Sequence, residues 1–89
     1  LPSLKTLDLN RLALGDAAVE VLARYPSLRQ IELDGTAITD EGIRRLLEIN
    51  PALERVELRD TETTASLLRE LSEAHPGLTI VRESHPFGG

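Results

Sequence analysis

The chain repeats one six-residue pattern three times, as LKTLDL (residues 4–9), LRQIEL (residues 28–33) and LERVEL (residues 53–58). Apolar residues stand at the first, fourth and sixth positions of each copy, and polar residues fill the positions between them. Successive side chains of a strand point to opposite faces, so this alternation favours a strand that is buried on one face only.

Proline marks the start of each copy and of one further unit. It occurs at residues 2, 26, 51 and 76, at intervals of 24, 25 and 25 residues, and a leucine follows each proline two positions later. Proline disfavours helical backbone in the residue before it, so a helix is expected to end at each boundary. A fixed period of this length is the sequence signature of stacked repeat units.

The second half of each unit changes from the strand period to the helix period. Residues 16–24, 40–49 and 65–74 carry apolar residues three and four positions apart, which is typical of amphipathic helices. The expected buried stripes are Val19, Leu22 and Ala23, then Ile43, Leu46 and Leu47, and finally Leu68 and Leu71. Thr39 and Thr64 are predicted to be helix N-caps, because their hydroxyls can accept hydrogen bonds from the free backbone N–H groups of the first helical turn. Each unit is predicted to form a strand, a turn and a helix.

This combination resembles the leucine-rich repeat family, with its pattern L-x-x-L-x-L-x-x-N/C-x-L, over residues 2–80. The unit length and the helical second half are similar to the cysteine-containing subclass of about 26 residues, which includes the substrate-binding arms of F-box proteins and is ribonuclease-inhibitor-like. The family's Asn or Cys position holds Leu12, Thr36 and Thr61 here. Threonine can bond to the local backbone as Asn would, but Leu12 cannot, so no continuous polar ladder is expected.

The resemblance implies an α/β solenoid, a short horseshoe arc with parallel strands on the concave face and helices on the convex face. The predicted leucine-rich repeat domain covers residues 1–84, with units at 2–25, 26–50 and 51–75 and a partial unit at 76–84. In the partial unit the pattern slips by about one residue, which predicts a final edge strand near residues 79–83. Residues 85–89 are expected to form a flexible tail, and the N-terminal end of the core is expected to be open.

Composition excludes several classes of function. The chain has no cysteine, which rules out disulfides, cysteine-based zinc sites and a cysteine nucleophile. Its net charge of -5 argues against nucleic acid and anionic membrane surfaces as partners. Apolar runs are only a few residues long, so no membrane span is expected. A cytoplasmic, intracellular location is predicted.

The best candidate surface is the concave strand face, where polar residues stack in columns from one unit to the next. One column is acidic in all three units. The predicted partner-binding residues are Thr6, Asp8, Asn10, Gln30, Glu32, Asp34, Arg55, Glu57 and Arg59. One interpretation is that Asp8, Glu32 and Glu57 attract a basic segment of a protein partner. The other is a solvated strand face, on which Arg55, Arg59 and Lys5 balance the carboxylates. No metal site is expected, because hard cations need six or more converging oxygens and a straight ladder spreads them out.

Three hypotheses for function follow. The first is a non-catalytic protein–protein interaction module, a fragment of a larger leucine-rich repeat protein that binds its partner on the concave face. The second is a structural segment that stacks on further units or self-associates through its open N-terminal end. The third is a substrate-recognition arm of a larger enzyme complex, such as an F-box ubiquitin ligase. Catalysis and a cofactor are not expected, because neither His75 nor His85 has a partner at the spacing of a catalytic or metal site.

Overall fold

Strands and helices alternate along residues 4–82, the part of the chain that the computed structural model describes. The strands are β1 (Thr6–Asp8), β2 (Gln30–Glu32), β3 (Arg55–Glu57) and β4 (Thr79–Val81). Between them lie a 3₁₀ helix, η1 (Asp16–Arg24), and two α-helices, α1 (Asp40–Ile49) and α2 (Ala65–Ala74). The protein therefore has a small α/β fold.

The four strands form one parallel sheet in the order β1-β2-β3-β4. Leu7 pairs with Ile31 and Ile31 with Val56, so equivalent positions of the first three predicted units are neighbours in the sheet, and Val56 pairs in turn with Ile80. Since Val56 and Ile80 are 24 residues apart while Leu53 and Leu78 are 25 apart, the predicted slip of one residue before β4 is confirmed.

The core lies between the sheet and the helices. Ile31 and Val56 from the strands and Leu46 and Leu67 from the helices are completely buried in one apolar cluster. The alternate strand residues therefore project from the opposite side of the sheet, which we call the outer sheet face (residues 6, 8, 30, 32, 55, 57, 79 and 81). Candidate binding residues are displayed there.

The first helix differs from its predicted form. The sequence pattern places Ala23 on the buried stripe, but the segment is a 3₁₀ helix, in which Val19 and Leu22 are buried and Ala23 is exposed. A 3₁₀ helix has three residues per turn, so residues i and i+3 share a face while residue i+4 is rotated away from it. Prediction of Ala23 as a core residue is wrong for this reason.

The third helix also turns a different side chain inward. Leu67 and Leu71, four residues apart on one face of α2, are buried, whereas the predicted Leu68 is only half-buried. Leu67 stands at the position that Gly42 occupies in α1. There a Cβ would overlap the carboxylate of Asp16. The carboxylate of Asp16 lies against Gly42 in α1, whereas α2 buries the Leu67 side chain at the equivalent position. The apolar pattern alone did not indicate this difference.

The N-cap threonines are in the predicted positions but make different hydrogen bonds. Thr39 and Thr64 precede α1 and α2, yet neither side chain bonds to the helix that it precedes. The Thr64 hydroxyl donates to Asp40 Oδ2 at 2.6 Å, and its backbone N–H donates to Asp40 Oδ1 at 2.8 Å. Thr39 makes the same two bonds to Asp16. Hydrogen bonds to an ionised carboxylate are about twice as strong as neutral ones, which explains why the threonines turn to the preceding unit.

The turn after each strand behaves as the sequence predicts. The hydroxyls of Thr36 and Thr61 donate to the carbonyls of Leu33 and Leu58 at 2.8 and 2.9 Å, whereas Leu12 has no such group and is exposed. These contacts are local, so the prediction that this position forms no continuous polar ladder is confirmed.

The partial fourth unit and the tail are described only in part. Leu78 and β4 pack against the core as the final strand of the described sheet. Residues 83–89, which include the end of the predicted edge strand and the whole predicted tail, lie outside the described residues.

Candidate binding surface

The structure places the nine predicted binding residues in three rows that cross the strands. Within each row, side chains come from equivalent positions of three units. The rows are Thr6, Gln30 and Arg55; Asp8, Glu32 and Glu57; and Asn10, Asp34 and Arg59. The first two rows lie on the outer sheet face, and the third follows the strand ends.

The third row is a hydrogen-bonded staircase. Asn10 Oδ1 accepts from the backbone N–H of Asp34 at 2.8 Å, and Asp34 Oδ1 accepts from the backbone N–H of Arg59 at 2.7 Å. Asp34 is 92% buried in this position, with a relative exposure of 8%. The side chains of Asn10 and Asp34, which were predicted to bind a partner, therefore also join one unit to the next.

Glu57 is neutralised within the molecule. Arg55 donates from Nε and Nη2 to Glu57 Oε2 at 3.2 and 3.1 Å, and Arg59 donates from Nη1 to Glu57 Oε1 at 3.0 Å. The same Arg59 nitrogen contacts Asp34 Oδ2 at 3.0 Å. Glu57 has only 9% of its surface exposed. Of the three carboxylates in the acidic column, this one is the least available to a partner.

The electrostatics of this cluster keep its arginine charged. The hydrogen bond to Asp34 is the largest influence on Arg59, and together with the charges of Asp34 and Glu57 it raises the pKa of the guanidinium above its ordinary value. Two arginines and two carboxylates thus cancel at the β3 side of the surface. The second interpretation, charge balance by Arg55 and Arg59, describes this side of the face.

Asp8 and Glu32 differ from Glu57. They are paired residues on the neighbouring strands β1 and β2, and among the described residues only the neutral groups of Asn10 donate hydrogen bonds to their side chains. Asn10 N–H donates to Asp8 Oδ1 at 3.0 Å, and Asn10 Nδ2 donates to Glu32 Oε1 at 2.8 Å. Within residues 4–82, neither carboxylate forms an ion pair. Two negative charges therefore stand side by side on the β1–β2 half of the outer sheet face.

The arrangement favours electrostatic binding. Carboxylates held by N–H donors attract cations, and parallel strands set neighbouring side chains about 4.8 Å apart. In the described part of the chain, no group of three or more His, Cys, Asp or Glu side chains converges as a metal ion requires. None of the helices between residues 4 and 82 has the length and apolar character needed to cross a membrane.

A separate shallow cavity of about 480 Å³ opens beside the starts of β3 and β4. The apolar residues Leu53 and Leu78 line it, together with His75. The charged groups at its rim, Arg29 and Glu54, pair with each other at 2.6 Å. The cavity therefore offers an incoming ligand no unpaired charge from this pair.

Sequence reasoning missed three polar residues that organise the fold. Asp16 and Asp40 bind the threonines of the following unit, and Asn50 is completely buried with its Nδ2 donating to the carbonyls of Leu22 and Tyr25 at 3.0 and 3.1 Å. The sequence contains a signal for the two aspartates. Asp16 and Asp40 occupy equivalent positions of the first two units, and in each following unit a threonine (Thr39 or Thr64) stands one residue before that position.

Comparison with known proteins identifies no family. No protein-family model matches the chain, and no curated protein matches it significantly.

Proposed function

We propose that the chain is a leucine-rich repeat solenoid and a non-catalytic protein-interaction module, whose outer sheet face is the concave face of the arc and binds a basic segment of a protein partner. The repeated strand, turn and helix units and the parallel pairing of equivalent strand positions support the solenoid. Binding is proposed from the chemistry of the site, because a fold of this kind does not by itself define a function.

One observation carries the proposal. Asp8 and Glu32 are adjacent carboxylates on the outer sheet face, and neither is ion-paired within the described residues, whereas Glu57 is held by two arginines. A lysine or arginine of the partner would supply the charge that the protein itself supplies at Glu57. Of the predicted acidic column of three residues, only Asp8 on β1 and Glu32 on β2 are therefore proposed to bind the partner.

The partner is expected to approach as an extended segment. The outer sheet face is a row of parallel strands, so a segment lying across it meets one residue of each strand in turn. Past the two carboxylates it meets Arg55 and Arg59, whose charges are cancelled, and then Thr79 and Val81 on β4. A segment with basic residues at one end and small polar or apolar residues at the other fits this order.

A double variant tests the proposal. Asp8→Asn with Glu32→Gln removes two charges while keeping side-chain size, and Glu41→Gln with Glu48→Gln removes the same charge from exposed positions on α1. The probe is an unstructured lysine–threonine peptide, with a glutamate–threonine peptide as its opposite. We expect the first variant to weaken binding of the basic peptide about tenfold or more at low salt, and the second to change it little.

If both variants weakened binding of the basic peptide equally, its affinity would depend on net charge alone. This result would contradict a site at Asp8 and Glu32. Unchanged binding by the first variant would remove these two residues from consideration. Fold retention is checked by circular dichroism on every variant.

The substrate-recognition arm remains a prediction from the resemblance. It requires a catalytic or adaptor domain, and no feature of residues 4–82 distinguishes an arm from any other binding module.

A further inference from the structure

The prolines that begin the units remove a hydrogen-bond donor from the end of the helix before them. In an α-helix the carbonyl of residue i accepts from the N–H of residue i+4, and proline has no N–H. Pro26 and Pro51 therefore cannot donate to the carbonyls of Leu22 and Leu47, which lie four residues earlier. Each of these two carbonyls needs a donor from another part of the molecule.

In the first unit, the chain itself supplies these donors. The Leu22 carbonyl accepts from the backbone N–H of Tyr25 at 3.0 Å and from Asn50 Nδ2, also at 3.0 Å. The same Asn50 Nδ2 donates to the Tyr25 carbonyl at 3.1 Å. Asn50 is completely buried, so a primary carboxamide fills the space beside the end of η1.

The corresponding place one unit later is an open cavity. His75 stands 25 residues after Asn50, at the equivalent position, but it is exposed. The Asn50 backbone N–H donates to the Leu46 carbonyl at 2.9 Å, and within residues 4–82 no donor reaches the Leu47 carbonyl. Leu47 and His75 both line the cavity of about 480 Å³ beside the starts of β3 and β4. This cavity therefore corresponds to the space that the Asn50 carboxamide fills in the preceding unit.

Both walls of the cavity belong to the described fold. Residues of the segments 51–54 and 75–78 line it, and these are equivalent segments of two successive units. Leu53 and Leu78 provide apolar contact for the methylene groups of a ligand. The cavity therefore suits a short methylene chain that ends in a hydrogen-bond donor.

The charges around the cavity favour a neutral donor over a cation. The last turn of α1 has no basic side chain, so its carbonyls keep the partial negative charge of a helix C-terminus. At the rim, Arg29 is paired with Glu54 at 2.6 Å, and this pair offers neither sign of charge to a ligand. A cation would lose hydration against the apolar wall without gaining a carboxylate, whereas burial of a hydrogen-bonded carboxamide costs less.

We propose that this cavity binds the glutamine side chain of a partner protein. Its amide nitrogen donates to the carbonyls of Leu47 and Asn50, which are equivalent to the two carbonyls that Asn50 Nδ2 reaches in the first unit. The glutamine methylenes contact Leu53 and Leu78. The site uses no residue of the outer sheet face, so it is independent of the site proposed for a basic segment.

Chemical-shift titration of the full chain tests the class of ligand. The probes are N-acetyl-glutamine N-methylamide, its methionine analogue, which has a similar shape without the side-chain donors, and its lysine analogue, which carries a cation. We expect the glutamine probe to bind about tenfold more tightly than either analogue. The largest shifts should occur at the backbone amides of Ala52, Leu53, Gly77 and Leu78. Equal affinity for another probe, shifts confined to other parts of the chain, or no binding would overturn the proposal.

Two variants at one position test where the carboxamide binds. His75→Asn supplies the chain's own carboxamide at the position equivalent to Asn50, and we expect it to abolish binding of the glutamine probe. It should also raise the urea midpoint of unfolding, because the Leu47 carbonyl gains a donor. His75→Ala is the matched control, which leaves the cavity open and should bind the probe as the native protein does. Binding that survives His75→Asn, or that is lost in folded His75→Ala, would contradict a site at the two carbonyls.

Discussion

At the residue scale, three equivalent positions adopt the left-handed backbone region that disfavours side chains. Arg11, Gly35 and Asp60 follow their strands with φ of 62°, 73° and 58°. A non-glycine residue in this region costs about 1–2 kcal/mol, so two of the three turns carry strain that the middle one avoids. The turn must bend here in each unit because the chain leaves the sheet to reach the helix layer.

We expect Gly35→Ala to lower the free energy of unfolding by about 1–2 kcal/mol. Its φ is +73°, and the added Cβ would lie 3.0 Å from Arg11 Nη1 and 3.1 Å from Arg11 Cγ. Gly77→Ala is the matched control, because nothing lies within 4 Å of its Cβ position. Urea denaturation of both variants measures the difference, and equal stabilities would contradict a strained turn at Gly35.

The Asp16 carboxylate is the second residue whose removal should matter. It accepts the backbone N–H of Thr39 at 2.8 Å and also the Thr39 hydroxyl in a partly buried site. Asp16→Ala leaves both donors without this acceptor, and we expect a loss of about 1–3 kcal/mol of stability. Glu62→Gln, at an exposed position, serves as the control. Chemical denaturation that gives the same midpoint for both variants would refute the structural role of Asp16.

At the element scale, helix α1 is tied to both neighbouring helices by charge. Arg45 donates from Nε and Nη2 to Glu20 of η1 at 2.7 and 3.0 Å, and Arg44 makes the equivalent two bonds to Glu70 of α2 at 2.9 and 3.0 Å. These hydrogen bonds are the largest influence on the carboxylates and lower the pKa of both Glu20 and Glu70. Exposed pairs contribute little to stability, so their main effect is on titration.

We expect Arg45→Gln to raise the pKa of Glu20 towards its ordinary value of 4.5 while the pKa of Glu70 stays low. Arg44→Gln should have the reverse effect, so each variant contains its own control. At pH values above the ordinary carboxyl pKa of 4.5, the ionised forms of Glu20 and Glu70 stabilise the folded state. This stabilisation is lost as the pH falls through their lowered pKa values. Carboxyl carbon NMR titrations check this, and movement of both glutamates in either variant would contradict separate clamps.

The elements also show how far sequence reasoning reaches. Strand positions and register were predictable because apolar alternation and the proline anchors are local signals. Two features were not predictable: the burial of Leu67 in place of Leu68, and the 3₁₀ form of the helix at residues 16–24. Both depend on how a helix packs against the neighbouring unit. On the candidate surface, the rows were predicted, and charge balance by the arginines was one of the two interpretations, but the sequence did not indicate that both arginines pair with Glu57 and leave Asp8 and Glu32 without an ion pair among the described residues. Which arginine reaches which carboxylate is a matter of side-chain geometry that spacing does not define.

At the scale of the whole molecule, each unit is buried by the units on either side of it. Ile31 on β2 has neighbouring strands on both sides and is completely buried, whereas Ile80 on β4 pairs, within residues 4–82, with β3 alone and is half-buried. For these two isoleucines, the number of neighbouring strands, and not the residue type, therefore accounts for the difference in burial. This is the behaviour expected of an architecture in which units contact only their neighbours.

We expect Ile31→Ala to cost about 2–5 kcal/mol and Ile80→Ala distinctly less. Both substitutions remove the same atoms from equivalent positions, so the comparison isolates burial. Equilibrium unfolding in urea provides both values. Equal costs would show that β4 is as well covered as β2, and would contradict the stacked account of the core.

The function proposed for the molecule rests on its outer sheet face, and chemical-shift mapping of the native protein tests this most directly. We would titrate the lysine–threonine peptide into isotopically labelled protein and follow every backbone amide. We expect the largest shifts at Thr6, Asp8, Gln30 and Glu32, with small changes on the helices. Shifts concentrated on η1, α1 and α2 instead would contradict it.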